Sequence, residues 1–432
     1  MKKRKVLIFP GGTEIGLEIW KSLRYCKEVS LCSAGNNTSN HAPYVFRENF
    51  FIPDVHESGW LETLSTTIEQ HQIDYVFPAH DDVILALAQN ADKIPAGIIS
   101  SPLSTCLICR SKARTYEKFR NLLPVPRTFD KGSDVDRFPV FVKPDIGQGS
   151  KFALKVENLV TLEVLMRDNP DLVVSEYLPG KEYTVDCFTD RRKGLLFCGG
   201  RERIRVKAGI SMDCKPVCNA SMATKFRDAA KVISKELEFY GAWFFQLKID
   251  SFGVLKLLEI APRISGTMAT VRVSGVNFAM LSIYEKEGVD IEIMRNDCQV
   301  HIDRALVNRY SHDIKYSTIY VDLDDTLIID DKLNPQLMQF LCQSINNGCR
   351  IILITKNDKA GGVRLILKKF RIASIFDQII CLKKNESKAD FIDPQGSIFI
   401  DDSFSERKSV FDKLGIPTFD CSMIEMLIDE RI

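Results

Sequence analysis

Three short apolar runs toward the end of this 432-residue chain each lead into an acid or a threonine. Thr318-Ile319-Tyr320-Val321 runs into Asp322-Leu323-Asp324-Asp325-Thr326, Arg350 to Ile354 delivers Thr355, and Ser397 to Ile400 delivers Asp401 and Asp402. Continuous β-branched and aromatic runs of this length fit strands buried on both faces, which belong to a parallel sheet covered by helices. Asn334 and Pro335 open one such helix and Gly348 ends it. Catalytic groups collect at the carboxyl ends of strands in open sheets. Carboxylates gathered there repel one another strongly, so the cluster predicts a bound cation rather than a solvated acidic rim.

A second feature lies in the middle of the chain, at FPVFVKPDIGQGSKFAL over residues 138–154. Val140 to Val142 reads as a strand ending in Lys143, and Pro144, Gly147 and Gly149 make the next segment a loop. A strand would hold the Lys143 ammonium as a fixed point charge, and Gly147, Gln148, Gly149 and Ser150 could bring backbone N–H groups to anionic oxygens. Taken alone, the same letters describe an ordinary strand-to-hairpin connection. Downstream, a strand over 172–176 is followed by Tyr177-Leu178-Pro179-Gly180-Lys181-Glu182, and a further strand follows to Phe188. Arg201, Arg203 and Arg205 alternate and share one face of a strand, facing either an anion or acidic partners. A helix is expected from Lys225 to Tyr240, stopped by Gly241. Strands over 242–249 and 254–260 then pair as a hairpin with Gln246 on one and Glu259 on the other.

Before these comes strand–turn–helix alternation: KVLIF over 5–9, the glycine turn Gly11-Gly12-Thr13-Glu14-Ile15-Gly16, a strand over 29–32, a helix over 59–71 and a strand over 75–78. This predicts a small doubly wound parallel sheet ending near residue 105. His80-Asp81-Asp82 opens a helix, where acids favour the first turn. One charged helix is expected over 111–123. The 58 basic and 57 acidic residues nearly cancel, so no overall field points to nucleic acid or an anionic membrane. The first apolar run is interrupted at Pro10 and no run can span a bilayer, which predicts a cytoplasmic protein. The 13 cysteines read as reduced core thiols; Cys106 with Cys109 and Cys214 with Cys218 lack the flanks of a zinc knuckle.

The order Lys112, Lys143, the glycine loop, Glu176, Glu182, Gln246, Glu259 and Arg263 resembles the ATP-grasp superfamily. It looks closest to the carbamoyl-phosphate-synthase-like branch through SEYLPGKEYTVD and LLEIAPRISGT. The resemblance implies an α/β pre-ATP-grasp domain over 1–105 and an α+β ATP-grasp domain over 106–300. It implies that Lys112 and Lys143 hold phosphates of ATP under a flap containing Gly147, Gly149 and Ser150. Glu176, Tyr177 and Leu178 would face the adenine, and Glu182 the ribose. Gln246 and Glu259 would hold Mg²⁺ or Mn²⁺, and Arg263 would face the transferred phosphoryl group. Ala261 stands where many relatives carry a metal-binding Asn, so the resemblance implies no second side-chain site there. Such enzymes join a carboxylate to an amine through an acyl phosphate. The arginine strand and the loop over 207–211 are candidate substrate contacts.

Beyond a polar linker over 301–317, the segment 318–432 resembles the haloacid dehalogenase (HAD) superfamily through its four motifs in order. This implies a Rossmann-like domain with Asp322 as nucleophile, Asp324 as general acid and base, and Thr355 and Lys388 on phosphoryl oxygens. Asp322, Asp324, Asp401 and Asp402 would form the Mg²⁺ site. From Thr326 to Thr355 there is room for one helix, and from Thr355 to Lys388 for a helix and a strand, so no cap domain is expected. The expectation is a bifunctional enzyme, a ligase for small carboxylate and amine substrates fused to a phosphatase for a phosphorylated substrate, its oligomeric state open. The alternative is a phosphatase whose first half only senses nucleotide.

Overall fold

The computed structural model describes residues 3–147, 152–357 and 360–431. The chain divides into two units, Met1–Leu306 and Val307–Arg431. Among the described residues no helix is long and apolar enough to cross a membrane.

The first unit begins with a five-stranded parallel sheet in the order Asn49–Phe51, Val29–Gly35, Arg4–Phe9, Tyr75–Pro78, Gly97–Ile98. The order reverses at Arg4–Phe9, so the loops after it and after Tyr75–Pro78 open beside each other, where open sheets bind ligands. The glycine turn serves packing: a Cβ on Gly16 would lie 2.7 Å from the carbonyl oxygens of Pro10 and Gly11. Thr13 caps the helix Glu14–Leu23 by accepting from the Gly16 N–H, and donates to the Ala79 carbonyl beneath the neighbouring loop.

Two antiparallel sheets follow. Thr128–Phe129, Leu172–Glu176, Val140–Pro144 and Leu154–Val156 form a four-stranded sheet, and its Val140, Val142 and Val174 pack on Leu162 of the helix Leu159–Asp168. The larger sheet runs Leu255–Ala261, Gly241–Ile249, Glu182–Asp190, Gly194–Lys207, Ile210–Pro216 and Ile302–Asp303. The last of these strands pairs with Asp213 and Cys214, so the segment expected to be linker contributes to this sheet.

Two helices depart from expectation. The one expected over 225–240 spans Ala220–Glu236, because the Asn219 side chain accepts from Met222 N–H and sets the start. Leu237 is already extended, and Gly241, at φ 75°, opens the next strand instead of ending the helix. The helix expected over 111–123 is shorter, Lys112–Phe119, its start set by the Ser111 hydroxyl, and a separate helix, Leu103–Arg110, precedes it.

The second unit has a parallel sheet in the order Gln378–Cys381, Arg350–Thr355, Thr318–Val321, Ser397–Ile400, Thr418–Phe419. Ile319, Val321, Leu353 and Ile400 face one apolar layer, and Tyr320, Ile352 and Phe399 face the other, which explains the unbroken apolar runs. The interval from Thr326 to Thr355 holds a small hairpin, Ile328–Ile329 with Lys332–Leu333, and the helix Pro335–Asn346.

Candidate active sites

Two adjoining cavities, of about 330 and 200 Å³, lie in the first unit and share Lys112, Gly147, Arg203, Gly209, Gln246 and Glu259. The smaller has apolar walls at Phe141, Leu178 and Leu258 and polar ones at Lys143, Glu176 and Glu182; Tyr177 also borders it. The larger is bordered by Thr13, Glu14, His80 and Asp81 from the reversal point of the parallel sheet and by Arg201, Ser211 and Arg263 from the antiparallel one.

Both lysines are desolvated cations. Lys143 Nζ lies 2.7 Å from Tyr116 Oη, and burial lowers its pKa to about 8 although Glu259 and Glu182 oppose the shift. Lys112 Nζ donates to the carbonyls of Asp145 at 3.0 Å and Gly147 at 3.4 Å, and burial lowers it too. The flap residues Gly149 and Ser150 lie outside the described residues. Glu176 accepts from Arg127 N–H at 2.9 Å and lies 3.1 Å from Lys256 Nζ, so its carboxylate is engaged on the wall. Glu182 is held by Arg203 at 2.8 Å and Lys248 at 3.3 Å.

Gln246 and Glu259 stand opposite each other in the hairpin register. Gln246 Oε1 accepts from Arg203 Nη1 at 2.7 Å, so Glu259 is the member of the pair that offers charged oxygens toward a cation. Arg263 is clamped by Asp81, Nε to Oδ1 at 2.5 Å and Nη2 to Oδ2 at 2.9 Å, and its Nη1 donates to Ile264 O. Burial would raise the Asp81 carboxyl, but Arg263 outweighs it and holds it down at about 2. Asp82 pairs with Arg110, Nη2 to Oδ1 at 2.5 Å. The two acids, at a strand end where ligands often bind but read first as favouring a helix start, each neutralise an arginine beside the cleft. The arginine strand also finds acidic partners: Arg201 with Asp186, Arg203 with Glu182 and Arg205 with Asp303. Sequence reasoning missed the roles of Asp81 on the cleft wall and of Tyr116 and Asp186 behind it, against Lys143 and Arg201; only the strand-end position of His80-Asp81-Asp82 signalled any of them.

In the second unit, strand order places Asp322, Thr355 and Asp401 at adjacent strand ends. Among the described residues, one group of His, Cys, Asp and Glu side chains could share a cation: Asp322, Asp401 and Asp402, with oxygens within 4.8 Å of one another. Asp324 is exposed and its carboxylate stands outside that group. Lys388 Nζ donates to Asp322 Oδ1 and Asp401 Oδ2, both at 2.6 Å. Thr326 Oγ1 donates to Asp402 Oδ1 and accepts from its N–H. Thr355 Oγ1 accepts from Asn357 N–H at 3.1 Å. Burial raises Asp322 to about 7, with Lys388 opposing and Asp401 adding to the shift. The described cysteines are free thiols, and Cys106 is pushed up to about 11 by burial.

Residues 168–306 match a family model described as ATP-grasp in the biosynthetic pathway with Ter operon. The arginine-specific carbamoyl phosphate synthase large chain of Bacillus subtilis is 26% identical over 325 residues, covering 69% of this chain and 31% of that one. A biotin carboxylase from Campylobacter jejuni superposes with a TM-score of 0.57 at 16% identity, covering 67% of this chain and 72% of that one. The chain carries the ATP-grasp fold. An L-amino acid ligase from Bacillus licheniformis, which shares this fold, gives a TM-score of 0.55 at 16% identity over 66% of this chain and 75% of its own. N5-carboxyaminoimidazole synthetase from Staphylococcus aureus with ADP gives 0.56 at 16% identity, over 67% and 79%. The chain spans about a third of the length of this curated relative. The match to the ATP-grasp family model ends at residue 306, where the first unit ends.

Proposed function

We propose that residues 1–306 form an ATP-dependent carboxylate–amine ligase and that residues 307–431 form a phosphatase of the HAD type. The observation that carries the ligase reading is the pair of cavities meeting at Lys112, Arg203, Gln246 and Glu259. One is lined as a nucleotide pocket, and the other opens at the reversal point of the preceding sheet. Lys112 and Lys143, desolvated and close to Glu259, suit phosphate oxygens, and the buried Arg203 Nε lacks a hydrogen-bond partner among the described residues. Glu259, assisted by Gln246 if Arg203 turns toward phosphate, would hold Mg²⁺ or Mn²⁺. The ion would supply charge withdrawal at the phosphate oxygens. Arg203 and Lys112 then orient the acid. Its carboxylate oxygen attacks the γ-phosphorus, ADP leaves, and the amine displaces phosphate from the acyl carbon. One neighbour that shares the fold is by name an L-amino acid ligase, which supports the reading. The test is ADP release that requires both an acid and an amine and is lost in Glu259→Ala; release that needs neither refutes the ligase.

The phosphatase reading rests on Asp322, Asp401 and Asp402 converging around Lys388. Three carboxylates against one ammonium leave a negative excess suited to a divalent ion. Asp322 would attack phosphorus and Lys388 would steady the oxygens. Asp324, on the exposed loop, would exchange the proton. Mg²⁺-dependent hydrolysis of an aryl phosphate, abolished by Asp322→Asn, is the expected outcome, and persistence in that variant removes the nucleophile. Two observations favour a second reading of the first half, nucleotide sensing without turnover: Ala261 cannot ligate, and Gln246 Oε1 is engaged by Arg203. It predicts ATP binding with no acid-dependent ADP release.

A further inference from the structure

Of the 13 cysteines, Cys218, Cys298 and Cys342 are exposed and the rest are buried or half-buried. Burial pushes the Cys32 thiol up to about 12 and Cys106 up to about 11, and it raises the half-buried Cys26, Cys349, Cys381 and Cys421. The thiolate is the attacking form in disulfide exchange, so chemistry with a small molecule from solution falls to the exposed thiols. Two of those three, Cys218 and Cys298, border one cavity of the first unit, and Cys342 lies on the helix Pro335–Asn346 of the second. The cavity measures about 610 Å³, within the ~300–1,000 Å³ usual for small-molecule sites.

Each of two walls of this cavity brings one thiol and one arginine. Cys218 stands just before the helix Ala220–Glu236, and Arg227 lies on that helix. Arg295 and Cys298 belong to the segment between the helix Phe278–Glu287 and the strand Ile302–Asp303, where the Asn296 N–H donates to the Ser274 carbonyl at 2.8 Å. Both arginines are exposed, and among the described residues neither has a hydrogen-bond or ion-pair partner. The cavity's third arginine, Arg201, is paired with Asp186 at 2.7 Å, which leaves Asp297 as the one other carboxylate on its lining. Two arginines against one aspartate give the mouth a positive excess, which draws an anion and favours a thiolate over a thiol. Exposed arginines are ordinary on a surface; these two share a cavity with two of the three exposed thiols.

We propose that Cys218 and Cys298 are modification sites for the disulfide of an anionic low-molecular-weight thiol, which the cavity seats with its carboxylates on Arg227 and Arg295. The cysteine gives its proton to solvent, and the thiolate attacks one sulfur of the bound disulfide. A bond forms between the cysteine sulfur and that sulfur while the disulfide's own S–S bond breaks. The other half leaves as a thiolate and takes up a proton, so the oxidation of the cysteine is balanced by the reduction of the departing thiol. The site stands apart from both the ligase and the phosphatase readings and needs neither.

The test incubates the full reduced chain with glutathione disulfide, which is anionic, and separately with hydroxyethyl disulfide, which is neutral. Site-resolved mass spectrometry follows each adduct, with the exposed Cys342 as internal reference. With glutathione disulfide, Cys218 and Cys298 are expected to react about tenfold faster than Cys342, a modest steering effect. Added salt should shrink that preference, because the charges at the mouth are exposed. Arg227→Gln combined with Arg295→Gln should remove most of it. With hydroxyethyl disulfide the three cysteines should react at similar rates, a comparison made on the unaltered chain that stands whether or not the double variant folds. Equal rates at the three cysteines with glutathione disulfide overturn the proposal. So does a preference that is as large with the neutral reagent, one that a folded double variant keeps, or a bond between Cys218 and Cys298 forming in place of the adducts.

Discussion

Lys143 shows how a single side chain ties the cleft to pH. Its pKa in the free protein, lowered by burial to about 8, rises again when phosphate oxygens replace the lost solvation. Nucleotide binding above pH 8 should therefore take up close to one proton, and affinity should fall as pH rises through that value. Calorimetry at pH 8.5 in two buffers of different ionisation enthalpy measures the uptake, which Lys143→Met should abolish. Asp81 gives a second check. Its carboxyl lies below the usual carboxylate range, so the stability it contributes is full above about pH 4 and is lost as pH falls toward 2. Asp81→Asn leaves Arg263 mostly buried beside a neutral amide, at an expected cost of about 2–3 kcal/mol in urea unfolding at pH 7. Neither partner could be read from the sequence: Asp81 and Arg263 are 182 positions apart. A carboxylate in a helix's first turn looks the same locally whether it faces water or a guanidinium. Lys143 was legible because a cation at the end of an apolar strand before glycines is a local pattern.

At the scale of elements, strands were read more faithfully than helix ends. The hairpin register that faces Gln246 with Glu259 follows from two apolar runs joined by Asp250-Ser251-Phe252-Gly253. The early start at Asn219 depends on one side-chain oxygen meeting one N–H, a choice that apolar periodicity does not record. The same kind of cap links an element to chemistry in the second unit. Asn334 Oδ1 accepts from Leu337 N–H to start the helix Pro335–Asn346, and its Nδ2 donates to Thr326 O in the loop that follows Asp322. Thr326 in turn holds Asp402. Asn334→Ala should cost about 1–2 kcal/mol in stability and lower the proposed aryl phosphatase activity through the displaced loop. Asn334→Ser keeps a capping oxygen and loses the amide donor, so it should recover stability more than activity. Equal recovery of both would detach the cap from the site.

At the scale of the whole molecule, each hydrophobic cluster formed by the described residues belongs to one unit: those around Trp20, Trp243, Leu64 and Val140 to the first, and those around Phe340 and Phe399 to the second. The sequence announced this division through its change of pattern, from mixed sheets to a second strand–helix alternation. It ended the first unit at residue 300, short of Leu306, because Ile302–Asp303, a two-residue edge strand, carries too little pattern to be seen. Separate cores unfold with separate midpoints unless an interface couples them. A ligand confined to one core raises only that core's midpoint. Mg²⁺ with a non-hydrolysable ATP analogue, at a hundred times its dissociation constant, should stabilise the first unit by about 2.7 kcal/mol. The transition of residues 307–431 should stay in place, and Glu259→Ala should reduce the shift of the first. Fluorescence resolves the two, because Trp20, Trp60 and Trp243 all lie in the first unit while calorimetry sees both. A single transition that moves as one with nucleotide would mean that the two units are coupled, and that the proposed phosphatase should then be assayed with the proposed ATP site filled.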